Sequence, residues 1–265
     1  MGAIHVLSDL LVNQIAAGEV VERPASALKE LLENSLDAGA TEIGVQLAEG
    51  GVKLLRIADN GGGMEREDLA FAVARHATSK IASMDDLNEV KSLGFRGEAL
   101  ASIASVSRLT LTSRTRMSGP AWRIEASGAQ VSEPEPASQG TGATVEVRDL
   151  YFNTPARRKF LKSEATEYAH CEEVFRRIAL SRPDCAFALQ HNGKPRLNLA
   201  AARPELRIAA LLGEEFRGAA VAVEEEAAGL RLWGFAARPA YSRASRDAQY
   251  FFVNGRFVRD KLTAH

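Results

Sequence analysis

The sequence predicts an α+β fold, on three observations. Helical and alternating segments come in groups rather than one for one, as in an antiparallel-rich sheet backed by helices. Ile43, Val45 and Leu47 alternate with Gly44 and Gln46, and residues 52–58 return after Gly50-Gly51, which reads as two neighbouring strands. Leu28, Leu31, Leu32 and Leu36 form an apolar stripe in a segment that opens at Pro24 and closes at Ala38-Gly39, the pattern of an amphipathic helix.

Taken in order, residues 8–17 read as a helix between the cap Ser8 and the stop Gly18, and 24–36 as a second. Strands over 43–47 and 52–58 precede a loop, Asp59-Asn60-Gly61-Gly62-Gly63. Helices are expected near 65–75, 84–90 and 98–105, and strands near 107–115, 121–127 and 143–149. Ser132-Glu133-Pro134-Glu135-Pro136 reads as an exposed loop. A helix over 164–181 is capped by Ser163 and stops before Pro183, and strands follow near 186–191 and 195–199. Arg203-Pro204 marks the expected boundary between domains 1–202 and 203–265. Beyond it come a helix, two strands and a hairpin at Asn254-Gly255.

Composition narrows the function classes. With 46% hydrophobic and 25% charged residues, the 265-residue chain can bury one large core or two ordinary ones. No apolar run approaches the roughly 20 residues that span a bilayer, and the N-terminus lacks a basic region ahead of an apolar one. The expectation is a cytoplasmic chain with no membrane partner. Cys171 and Cys185 form no CxxC pair, and His76 and His170 stand apart from other ligand types, so disulfides and structural zinc are not expected. Net charge is −1, yet residues 230–265 hold seven Arg or Lys against two Asp, interleaved with aromatics. That mixture suits nucleic acid and equally suits a solvated basic face over a sheet.

Four segments carry candidate chemistry. At about 100° per residue, Glu30, Asn34 and Asp37 share one side of their helix, opposite the leucines. The stripe reads as a plain polar face or as a site. Glu33 and Asp37 sit late in the helix, against its dipole, which favours the second reading. In Asp59 to Gly63, an acceptor stands beside three glycines that permit close backbone approach, or simply form a turn. Gly94-Phe95-Arg96-Gly97-Glu98-Ala99-Leu100 opens a helix, where free N–H groups face outward. Gly140 to Val145 enters a strand. No Walker A loop and no G-x-G-x-x-G occurs, so phosphate binding would need another route.

In this order and spacing the four segments resemble the motifs of the GHKL ATPases: Glu30 to Ala38, Asp59 to Gly63, Gly94 to Leu100, and Gly142-Ala143-Thr144. Within that superfamily the chain is most similar to MutL proteins. The strings that carry the likeness are the run from Asn13 to Pro24, Arg75 to Lys80, Gly94 to Leu100, and Asn153 to Leu161. Those strings argue against a topoisomerase subunit, and no helical phospho-acceptor region precedes the motifs as in a histidine kinase. The resemblance implies a Bergerat-type α/β sandwich with an antiparallel-rich mixed sheet, followed by part of a smaller, transducer-like α/β domain.

It also implies roles. Glu30 would be the general base and Asn34 the Mg²⁺ ligand. Asp59 would accept from the adenine amino group, with Thr144 nearby through a water. Asp37, Gly61, Gly63, Ala77 and Thr78 would complete the nucleotide pocket. Gly94, Phe95, Arg96, Gly97, Ala99 and Leu100 would offer N–H groups to phosphates, within a lid over about 76–97. The implied function is DNA mismatch repair: ATP and Mg²⁺ binding, slow hydrolysis and ATP-dependent pairing of two copies. The implied partners are the mismatch-recognition MutS protein, downstream nuclease or helicase factors, and DNA, with Arg256, Arg259 and Lys261 as contacts. A phosphate-sensing lysine is expected beyond the hairpin, past His265, which leaves the second domain truncated. The alternative is a nucleotide-gated DNA-binding adaptor without useful turnover.

Overall fold

The computed structural model describes residues 20–74, 77–78, 98–117, 119–128, 130–241 and 249–259. The chain divides into two compact units. One holds the chain up to Phe175 together with Cys185–Ala200, and the other holds Arg176–Asp184 and the chain from Ala201 onward.

In the first unit, helix α1 (Pro24–Asp37) starts where Pro24 presets the backbone after an extended Arg23. It ends at Gly39, whose φ of +73° turns the chain so that Ala40 N–H reaches the Ser35 carbonyl at 3.1 Å. Strands β1 (Glu42–Ala48) and β2 (Leu54–Asp59) are antiparallel, joined through a 3-10 turn at Glu49–Gly51. Their inward residues Ile43, Val45, Leu47, Leu55 and Ile57 are buried, as are Leu28, Leu31 and Leu32 of α1. Each such side chain contributes about 1.5–3 kcal/mol.

Helices α2 (Arg66–Ala72) and α3 (Ala99–Ser105) are followed by β3 (Arg108–Arg114), β4 (Ala121–Ser127), β5 (Gln130–Val131), β6 (Glu135–Ala137) and β7 (Gly142–Arg148). Then come α4 (Pro155–Arg158), α5 (Glu164–Ser181), β8 (Ala186–His191) and β9 (Lys194–Leu199). The strands form one sheet in the order β5-β4-β3-β7-β2-β1-β8-β9, with β6 also pairing β4. Among the described residues, every pairing in this sheet is antiparallel except β1 with β8. A parallel pair cannot close through a tight turn, and the chain reaches β8 only after α5. On one face, α1 packs on β2 and α3, α2 on β4, and α3 on β3 and β4. The other face is polar. There Arg56, Thr110, Thr112, Thr144 and Glu146 line a shallow cavity of about 360 Å³ with Arg123 and residues 136–139.

In the second unit, α6 (Pro204–Leu212) and α7 (Glu214–Ala219) lead into an antiparallel ribbon, β10 (Ala220–Ala227) with β11 (Leu230–Ala237). The hairpin of β12 (Phe251–Val253) and β13 (Arg256–Val258) turns at Asn254 and Gly255. Their φ values of +49° and +79° match a type I′ turn.

The fold class is α+β, as the sequence predicts, with three local departures. The loop expected over 132–136 instead carries β6, whose Pro136 is tolerated beside β4 because β6 is short and marginal. Helix α4 spans four residues, too few to show a period. Gly213, at φ +94°, splits the expected single helix into α6 and α7. The helices expected over 8–17 and near 84–90 lie outside the described residues.

Candidate functional site

The site grows from the end of α1. Glu30, Asn34 and Asp37 are half-buried along one side, while Leu28, Leu31, Leu32 and Leu36 face the core. Lys29 lies beside the stripe, its Nζ 2.8 Å from Glu33 and 3.4 Å from Glu30. Burial pulls the Lys29 ammonium down, but the hydrogen bond and charge of Glu33, followed by those of Glu30, hold it above its ordinary value. Glu33 is buried against this partner one turn away. Its place late in the helix therefore has a structural cause, and only Glu30, Asn34 and Asp37 remain as site candidates on α1.

Asp59 ends β2 on the helix-facing side, in phase with Leu55 and Ile57. Its Oδ1 accepts from Gly61 N–H at 2.9 Å and from Ala143 N–H at 3.2 Å. Its Oδ2 accepts from the Ser35 hydroxyl at 2.8 Å. The carboxylate thus joins α1, the glycine loop and the start of β7. The glycines are demanded by this junction. A Cβ on Gly61 would stand 2.8 Å from the Ala38 carbonyl oxygen, one on Gly63 2.2 Å from that of Arg114, and one on Gly142 2.0 Å from that of Asp59. Close approach is made here to the protein's own backbone. Asn60 pins the loop to the start of β1, accepting from Thr41 and Glu42 N–H at 2.9 Å each. Ser113 accepts from Met64 N–H at 2.8 Å and donates to the Gly142 carbonyl at 3.0 Å.

Thr144 does not join this cluster. It pairs with Ala58 on β2 and Thr112 on β3, and lies with Arg56, Thr110 and Glu146 on the polar face of the sheet. The reason is parity: Ala143 and Val145 turn toward the helices, so Thr144 turns away. The contact to Asp59 is made by Ala143 through its main chain. Ser35 and Ala143 were both missed by motif reading. The alternation of Val145 and Val147 with Thr144 and Glu146 would have put Ala143 on the helix-facing side.

Ala99 and Leu100 form the first turn of α3, half-buried. Ala77 and Thr78 belong to no regular element, Ala77 half-buried and Thr78 exposed. Gly94, Phe95, Arg96, Gly97 and Lys261 lie outside the described residues, as does nearly all of the expected lid. Arg256 and Arg259 belong to the second unit, where Arg259 sits 6.0 Å and Arg177 4.3 Å from the Phe257 ring centre. Among the described residues, no group of three His, Cys, Asp or Glu could hold a metal. No described helix is long and apolar enough to cross a membrane.

A family model described as histidine kinase-, DNA gyrase B-, and HSP90-like ATPase matches residues 22–148. Another, described as DNA mismatch repair protein, C-terminal domain, matches residues 208–265. The DNA mismatch repair protein MutL of Thiobacillus denitrificans is 59% identical over 263 residues, covering 99% of this chain and 44% of that protein. The MutL of Pseudomonas entomophila is 58% identical over 267 residues, covering 99% and 42%. The chain thus spans less than half the length of these curated relatives. Among solved structures, the Aquifex aeolicus MutL ATPase domain complexed with ADP is 31% identical, with a TM-score of 0.72 over 92% of this chain and 86% of that one. An N-terminal domain of a DNA repair protein is 25% identical, with a TM-score of 0.78 over 94% and 78%. A helix-backed mixed sheet with this aspartate junction, matched from end to end at such identity, places the chain in the MutL family of DNA mismatch repair proteins.

Proposed function

We propose that this chain binds ATP with Mg²⁺ and hydrolyses it slowly. One observation carries the reading, the set of hydrogen bonds on Asp59. An ionised carboxylate offers about four acceptor positions. Ser35, Gly61 and Ala143 occupy three. The fourth suits the exocyclic amine of adenine, and the Glu30–Asn34–Asp37 side of α1 lies within the same unit. The Aquifex aeolicus relative, a MutL ATPase domain complexed with ADP, supports a nucleotide here.

In this reading Glu30 orients and deprotonates the water that attacks the γ-phosphorus, the bond to the β-phosphate oxygen breaks, and ADP and phosphate leave. Asn34 fits Mg²⁺ as a single neutral oxygen donor, since that ion keeps several waters and takes the rest of its shell from phosphates. When bound, Mg²⁺ offsets phosphate charge. Asp37, Gly61, Gly63, Ala77 and Thr78 complete the pocket, and Ala99 and Leu100 approach the phosphates together with the segment 94–97. Thr144 is given no role, because of its face.

Beyond the chemistry, the nucleotide state pairs two copies of this region and passes the signal from the mismatch-recognition MutS protein to nuclease or helicase factors. The ATP-binding domain is placed at 1–202 and the second domain at 203–265, in the cytoplasm, with DNA along Arg256, Arg259 and Lys261. The test is Glu30→Ala. It should bind ATP nearly as wild type by calorimetry, while phosphate release falls about 10²–10⁴-fold. Comparable turnover removes Glu30 from its role. A wild-type chain that binds ATP and DNA yet releases no phosphate supports the adaptor reading.

A further inference from the structure

We infer that Ser35 is the positioning residue that makes the site choose a 6-amino over a 6-oxo purine. The inference rests on the reading of Asp59 as the adenine acceptor. Ser35 is 5% exposed, on the core side of α1, and its Oγ donates to Asp59 Oδ2 at 2.8 Å across 24 residues of sequence. The other two donors to Asp59, Gly61 N–H and Ala143 N–H, both act on Oδ1. Among the described residues, Ser35 thus supplies the one side-chain donor on Asp59, and the one donor on Oδ2.

The consequence is orientational. The Asp torsion about Cβ–Cγ is soft and roughly two-fold, so two donors on one oxygen hold the carboxylate plane less tightly than donors on both. A donor on each oxygen fixes the plane. The last acceptor position then points one way. An amine N–H there completes the set, whereas a carbonyl oxygen in its place meets a carboxylate oxygen with no proton between them. Without the hydroxyl the plane can turn, and a second position on Oδ2 opens to water. Discrimination at purine C6 falls along with affinity. Ser35 touches no reacting atom, so the loss falls on binding rather than on the chemical step.

The test uses the full 265-residue chain and two probes, ATP and inosine triphosphate, which differ by the C6 amine against a C6 oxygen. For Ser35→Ala, the expected outcome is a rise in Kd and KM for ATP of about ten-fold, the scale of one hydrogen bond to a charged group. The ATP-over-inosine-triphosphate preference should shrink by a similar factor, with the loss absent from kcat. Ser35→Thr, which keeps the hydroxyl, should restore the preference. Should Ser35→Ala not fold, Ser35→Cys carries the test: a weak S–H donor of similar shape should give an intermediate preference. An unchanged preference in Ser35→Ala or Ser35→Cys overturns the inference, as does equal loss for both nucleotides. Failure of the underlying reading looks different: Asp59→Asn would leave the wild-type preference intact.

Discussion

Gly142 holds the narrowest place at the site. Its φ of +118° is one that other residues rarely adopt, and any Cβ there would overlap the Asp59 carbonyl oxygen at 2.0 Å. Gly142→Ala should therefore cost at least about 2 kcal/mol and weaken ATP binding with it, as strain and overlap act together. Urea denaturation followed by circular dichroism checks this, and an unshifted midpoint would refute the account. At this scale the sequence was partly legible. Glu30, Asn34 and Asp37 could be placed on one side of α1 from the helical period alone. Thr144 was grouped with the site on its motif string, which ignores the strand phase carried by the alternation of Thr144 and Glu146 with Val145 and Val147. Ser35 was invisible for another reason. It lies among the buried leucines, and its partner is 24 residues away.

Helix α5 shows what an element needs at its ends. Ser163 accepts from Thr166 N–H at 3.3 Å at the start. At the finish, the 2%-exposed Arg207 donates to the carbonyls of Ala179 at 2.9 Å and Pro183 at 3.3 Å. A guanidinium can serve both carbonyls at once, and its charge suits a helix C-terminus. Arg207→Met should lower stability by about 2 kcal/mol, because it takes the side-chain donor from the buried Ala179 carbonyl, while that of Pro183 keeps Ala202 N–H at 2.8 Å, and Arg207→Lys should recover only part of that. Equilibrium denaturation of the three proteins decides it, and equal midpoints would show that Arg207 caps nothing. Long elements such as α1 and α5 were legible to within a residue or two. The short β5, β6 and α4 were not, since two to four residues hold no readable period and owe their form to neighbouring strands and loops.

For the molecule as a whole, His191 links stability to pH. It stacks on Tyr168 at 4.1 Å, is buried, and accepts from Gly50 N–H at 3.3 Å. Burial lowers its pKa below the ordinary 6.5, Glu164 opposes that in part, and Arg196 adds to it. The folded protein therefore holds this ring neutral where the unfolded chain would protonate it. The stabilisation is complete above pH 6.5 and is lost as pH falls through that value toward the lower folded pKa. His191→Gln should flatten the drop in thermal midpoint between pH 7 and 5; a drop as steep as in wild type would assign the effect to other groups. The parallel pairing of β1 with β8 has a practical corollary. The ATPase-family match stops at residue 148, but β1 is completed on its far side only by β8, from residue 186 onward. A fragment trimmed to that match would bare β1 along its full length, an unguarded template on which copies of the fragment would stick edge to edge and aggregate.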